Sequence, residues 1–167
     1  MPRYESATVA PLLSDSLASV IVSTLSMKVT DRQGRVFLTI EYDAAHHWLC
    51  NKWQGYQTYE TTVQGSNACL AWLAKHHSPY LVNDMRQVVG LWDQAEQWLL
   101  TQWIPRAVQL GLTHIAQVIS PETLASASAE LIQQGSGELV TMRLFLSRKE
   151  AEAWLQQAQL GSAAPRL

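Results

Sequence analysis

Two cysteines, two phenylalanines, eight glycines and six prolines are all that the 167 residues hold of those types, and 16% of the chain is charged. Each scarcity excludes something. Cys50 and Cys69 have neither the number nor the spacing of a disulfide framework or a CxxC metal site. A reducing, cytoplasmic setting is therefore expected, with one bridge between the two cysteines as the alternative. Twelve Lys and Arg against fourteen Asp and Glu leave a net charge of -2, which supplies no bulk attraction for nucleic acid or an anionic membrane. No stretch approaches the roughly twenty apolar residues of a membrane span. The best candidate, residues 17–25, is interrupted by Ser19, Ser23 and Thr24, and Glu5 and Asp15 before it carry the wrong sign for a leader. There is no GxGxxG and no GxxxxGK[ST], so no backbone cradle for nucleotide phosphates is encoded. There is no GxSxG elbow for a nucleophilic serine either.

What is present is an ordinary globular composition, 47% hydrophobic, in a length that suits one domain with a sizeable core. The first two dozen residues are rich in Ser, Ala and Thr and sustain no period. Residues 1–26 are expected to be a disordered extension, 27–160 a single domain and 161–167 a frayed tail. From Val36 to Tyr42 apolar residues alternate with others at the period of a strand. A turn at Asp43–His46 then leads to a second strand near His47–Trp53, stopped at Gly55, forming an antiparallel hairpin.

Helices and strands alternate from there. A helix is expected from about Thr58 to His76, with Tyr59, Val63, Leu70 and Leu73 near one stripe. Gly65 inside it is a local weakness. Tyr80–Asp84 reads as a short strand. Asp93 and Glu96 resemble a capping box opening a helix that carries Trp98, Leu99 and Trp103, bends at Pro105 and ends at Gly111. Thr113–Ile119 is the next strand. Ser120 with Pro121 sets a helix start, Leu124, Ala127, Leu131 and Ile132 its stripe, and Gly135-Ser136-Gly137 its break. Leu139–Phe145 is the last strand, and Ser147 with Glu150 caps a final helix bearing Ala151, Trp154, Leu155 and Ala158. Strands separated by helices imply parallel crossovers. The expected fold is therefore α/β, a mixed five-stranded sheet with an N-terminal hairpin and about four helices.

The chemistry-bearing residues are few. His46-His47 and His76-His77 are adjacent pairs, whose side chains diverge on either a strand or a helix, so no metal site is expected and no cofactor is called for. His114, on a strand, reads as a hydrogen-bonded structural residue. Seven tryptophans are many for this length. Trp53, Trp72 and Trp154 are expected in the core, whereas Trp92, Trp98 and Trp103 follow the carboxyl end of a strand, where α/β folds hold ligands. Asn83, Asp84 and Arg86 sit at that same strand end. These six residues form the candidate ligand-binding site, and no catalytic residue is assigned.

The strand pair followed by helix–strand units ending in a helix, with Leu81-Val82-Asn83-Asp84 before a tryptophan-rich second helix, resembles the STAS superfamily. The chain is most similar to its bacterial SpoIIAA-like, STAS and CRAL-TRIO-like branch. Further echoes are Trp103-Ile104-Pro105-Arg106-Ala107, the Gly111-Leu112 stop before Ile115–Ile119, and Ala151-Glu152-Ala153-Trp154-Leu155. The resemblance covers about residues 34–159. It implies a non-catalytic binding or regulatory module for a small apolar or amphipathic ligand, or for a regulatory protein. In the phosphoregulated members a Ser follows an Asp after the third strand. Residues 84–93 here contain no Ser or Thr, so the resemblance carries no kinase-driven switch to that position. Two other readings compete: a structural protein that forms a homodimer through an apolar helix face, and a hydrolase or isomerase using Asp84 with a histidine brought in by the fold.

Overall fold

The structure, a computed structural model, describes residues 25–90, 93–122 and 125–163. Its centre is one mixed sheet of six strands in sequential order. β1 (Ser26–Thr30) pairs antiparallel with β2 (Val36–Asp43), and β2 with β3 (Trp48–Tyr56). β4 (Tyr80–Val89), β5 (His114–Val118) and β6 (Thr141–Phe145) then add in parallel. The α/β class, the hairpin and the four helical segments are as expected, but the sheet has six strands rather than five. β1 escaped notice because only Met27 and Val29 of its five residues turn inward, too few to establish a period of two. The expected extension 1–26 lies outside the described residues as far as residue 24, and Ser26 already belongs to β1.

α1 (Tyr59–His76) joins β3 to β4 and is capped reciprocally by Thr58 and Thr61. The segment 93–109, here α2, joins β4 to β5 and is built of unlike turns: 3₁₀ at Asp93–Ala95, α at Glu96–Trp98, π at Leu99–Trp103 and α again at Ile104–Gln109. The Ile104 N–H reaches back five residues to the Leu99 carbonyl. Pro105, which has no N–H to give the preceding turn, explains why the irregularity sits there. α3 (Ala125–Ser136) joins β5 to β6, and α4 (Arg148–Ala163) ends the described chain. Crossovers between parallel neighbours share one hand, so three that advance in the same direction fall on the same face of the sheet. α1, α2 and α3 accordingly cover one face, in a core that includes Leu38, Trp53, Leu73, Met85, Trp103 and Ile132. The other face, with Trp48, Cys50, Val82 and Val118, is covered by Ala151 and Leu155 of α4.

Several boundaries move. α3 starts at Ala125, four residues beyond the expected position, because Pro121 and Glu122 form a turn in which Ser120 bonds the Glu122 carboxylate at 2.8 Å. Thr123 and Leu124 lie outside the described residues. Leu131 faces solvent while Ser128, Ala129 and Ile132 face the core. Gly135 stays inside the helix, where a Cβ would stand 2.7 Å from the Leu100 side chain of α2, so the helix stops later than the first glycine suggested. β6 begins at Thr141, two residues after Leu139, and α4 runs through Gly161 into the expected tail. Half of the expected final capping box forms: the Glu150 N–H donates to Ser147 Oγ at 3.3 Å, while the Glu150 carboxylate accepts from that hydroxyl at 3.0 Å in place of the Ser147 backbone N–H.

The most consequential shift is in β4. The expected strand ended at Asp84, yet it continues to Val89, alongside a β3 that passes through Gly55 at φ 75°. Lys52 pairs with Asp84 and Gln54 with Gln87, so β4 carries one more residue than β3 over this interval, a β-bulge. The bulge lets Met85 and Val88, three apart, both enter the same core.

Candidate functional site

The bulge places the six expected site residues in different surroundings. Along β4 successive side chains point to opposite faces. Asn83 faces α1, α2 and α3, whereas Asp84 faces α4. The Asp84 carboxylate accepts from Arg86: Nη2 at 2.7 Å, Nε at 3.0 Å and the backbone N–H at 3.1 Å. Burial alone would raise the Asp84 carboxyl, but the hydrogen bonds and charge of Arg86 outweigh it and hold it below the ordinary 3.8. Asp84 and Arg86 therefore staple the bulge. Trp103 is buried and donates its indole N–H to the Ser66 carbonyl at 2.7 Å. Trp98 is half-buried against the rim of the same core. Trp92 and the side chain of Asp93 lie outside the described residues. Of the residues expected in the core, Trp53 is there, 2% exposed. Trp72 and Trp154 are half-buried, the latter flanked by His114, Phe145 and Arg143.

Asn83 and Trp103 instead meet at a cavity of about 40 Å³ between the sheet and the irregular α2. Its floor is a row of side-chain amides. Asn51 pairs in register with Asn83, and Asn83 with Gln117; each is the fourth residue of its strand. Two positions earlier the same three strands place Leu49, Leu81 and Ile115 in register, so the polar row lies directly beside an apolar one. Trp53 and Trp103 form walls, and Leu99, Ile104, Ile132 and Met142 close the remainder. The π turn brings Leu99 and Ile104, five residues apart, onto this one surface.

The hydrogen bonding of the row is incomplete. The Trp53 indole N–H donates to Asn83 Oδ1, and Asn83 Nδ2 donates to Gln117 Oε1, both at 2.9 Å. Gln117 Nε2 has the Met85 thioether as its acceptor, a weak one. Asn51 shares a hydrogen bond with the Cys69 thiol, but its Oδ1 has no partner, although the residue is 3% exposed. Leaving an amide oxygen buried and unpaired costs about 1–3 kcal/mol. Sequence reasoning identified Asn83 and Trp103 but not Asn51, Ser66 or Gln117. The available signal was one amide set into each of three otherwise apolar strands.

Two further buried atoms, Trp48 Nε1 and His76 Nε2, also lack a hydrogen-bond partner, but neither residue lines this cavity. An open groove of about 1020 Å³ runs between the β1–β2 turn and the start of α1, lined by residues including Arg35, Tyr56 and Glu60. Its charges pair internally, Arg35 with Asp31 at 2.8 Å and Arg32 with Glu60 at 3.5 Å. The two cysteines are free and lie in the cores on opposite faces of the sheet, so the bridge between them does not form. Burial pushes each thiol up to about 12. One histidine of each pair converges on Tyr42: His47 Nδ1 shares a hydrogen bond with its hydroxyl at 3.0 Å, and the His76 ring stacks on it with centroids 4.1 Å apart. Among the described residues no group of three His, Cys, Asp or Glu side chains is placed to hold a metal, and no helix is long and apolar enough to cross a membrane. No protein-family model matches the chain, nor does any curated protein sequence.

His114 packs between Tyr80 and Trp154, with Nδ1 2.9 Å from the Thr113 hydroxyl. Burial lowers its pKa, and burial followed by the charge of Lys75 lowers that of His76. Below their ordinary 6.5 the unfolded chain thus binds protons that the folded chain resists, so stability is full above that pH and falls as pH drops through it. The melting temperature is expected to decline between pH 7 and 5, and the decline to flatten in His114→Gln and His76→Gln. A pH-independent melting temperature over this range would show that both rings titrate freely in the fold. The lowered carboxyls of Asp43 and Asp84 add a separate loss only below 3.8.

Proposed function

We propose that this chain is a non-catalytic binding module of the STAS-like kind its sequence resembles, and that it holds a small molecule in the cavity between the amide row and the π turn. The orphan Asn51 Oδ1 carries this reading. A core retains an unpaired amide where something other than the protein completes it, and Asn51 lines the one cavity that also receives Asn83, Gln117 and both indoles. The lining contains amides, one serine and apolar groups but no carboxylate, imidazole, thiol or amine. Such a set orients a ligand and lacks an acid or base to transform it. The STAS-like assignment is supported by the hairpin, the sequential helix–strand units and the closing helix.

The test contrasts two equal substitutions. Asn51→Leu removes an amide whose oxygen is unpaired, so the free protein is expected to be at least as stable as the parent in urea unfolding. Asn83→Leu removes the partner of both the Trp53 N–H and Gln117 Oε1 and is expected to cost about 2–6 kcal/mol, at about 1–3 kcal/mol for each of the two lost bonds. Ligand-observed NMR with a set of single-ring compounds should find binders that Asn51→Leu loses. If Asn51→Leu destabilises as much as Asn83→Leu and no compound binds, the amide row is structural and the reading fails.

A further inference from the structure

Resting on that reading, we infer the class of molecule that the cavity accepts: a small, planar, uncharged carboxamide or lactam, with an N–H donor beside a carbonyl acceptor.

The donor requirement comes from Asn51, whose Oδ1 is an acceptor without a partner. Asn83 offers no second acceptor, because its Oδ1 already receives the Trp53 indole N–H. The acceptor requirement comes from Gln117. Its Oε1 is occupied by Asn83, and of the two N–H groups on its Nε2 only one can point at the Met85 thioether, so the other is left for a carbonyl. Asn51 and Gln117 flank Asn83 in register on neighbouring strands. Strands pair at about 4.8 Å, so the two backbones stand roughly two strand spacings apart; one amide unit with a hydrogen bond at each end reaches about 8 Å, and the Asn51 and Gln117 side chains supply the remainder.

Flatness follows from the walls. Both indole N–H groups are committed elsewhere, Trp53 to Asn83 and Trp103 to the Ser66 carbonyl, so the tryptophans present rings and no donors toward a ligand. Neutrality follows from the absence of any ionisable group in the lining. A carboxylate, phosphate or ammonium would be buried without a counter-charge, at several kcal/mol. The volume sets the upper limit. One water needs about 10–15 Å³ on this measure, so about 40 Å³ admits the equivalent of about three waters, or a single small ring.

The experiment uses the full chain with 2-pyrrolidone, cyclopentanone, benzene and 2-furoate as probes, followed by NMR through the Trp53 and Trp103 indole N–H resonances. 2-Pyrrolidone is expected to shift both resonances saturably. Cyclopentanone, which matches its size without the N–H, is expected to bind at least tenfold more weakly, and 2-furoate not at all. Asn51→Leu should remove the preference for 2-pyrrolidone over cyclopentanone. Equal binding of cyclopentanone or benzene would overturn the ligand class while leaving a binding cavity in place. Binding of no probe, with the indole resonances unmoved in the parent protein, would overturn the class and the binding reading together. Because the parent protein supplies the decisive shifts, the result does not depend on the variant folding.

Discussion

Gly65→Leu is expected to leave no folded protein at ordinary temperature, and Gly65→Ala to cost about 1–3 kcal/mol, the range for overpacking a filled core. In an open helix the alanine would gain about 1 kcal/mol over glycine, so the sign itself is informative. A Cβ at residue 65 would stand 2.5 Å and 2.8 Å from two ring carbons of Trp53 and 2.9 Å from a methyl carbon of Leu38. Those side chains are nearly inaccessible and cannot swing away. α1 lies as close to the sheet as it does because residue 65 has no side chain. The measurement is urea unfolding of Gly65→Ala alone and with Trp53→Phe, whose smaller ring vacates the clash. A double variant less destabilised than the sum of the singles is expected, whereas a Gly65→Ala protein more stable than its parent would mean that helix and sheet can part without cost.

Trp53→Ala is expected to cost about 3–5 kcal/mol, a large share of the roughly 5–15 kcal/mol that holds a domain of this kind together. Trp53 packs beside Phe37 with ring centroids 6.2 Å apart, supports Gly65 from below, and gives its N–H to Asn83. Removing the ring opens a void, and removing the N–H leaves Asn83 Oδ1 as a second orphan in the amide row. Trp154→Ala, on the opposite face, is expected to cost less, since that ring is only half-buried between His114, Phe145 and the Arg143 guanidinium. Equilibrium unfolding of the two variants ranks them directly. A larger loss at Trp154 would reverse the assignment of Trp53 as the centre of the first core.

Much of the architecture was legible because it is written locally. The alternation through Val36–Tyr42 defines a strand whatever it packs against. The Ser147 hydroxyl accepts the free Glu150 N–H within one turn, and Pro105 disturbs the helix around it through its own missing N–H. The order of elements follows from such signals, and the placement of α1, α2 and α3 on one face follows from the order together with the shared hand of crossovers. The candidate site was legible only in part. Asn83 and Trp103 were chosen as residues near the carboxyl end of a strand, yet β4 runs five residues past that supposed end, and the two meet inside the core. Asp84 and Arg86 were chosen on the same ground and lie on the opposite face.

Sequence alone thus determined the α/β class, the hairpin, the four helical segments and the Ser147 cap of the last one, since each depends on contacts within a few residues. Tertiary structure decided the rest. β1 exists as a strand because β2 offers it an edge. The bulge in β4 exists because Gln54, Gly55 and Tyr56 provide partners beyond Asp84. Asn51, Asn83 and Gln117 are 32 and 34 residues apart along the chain, and nothing local tells each that the others are its neighbours. Strand register aligns them, and register is settled only when every apolar side chain of a strand must fall on its proper face at once.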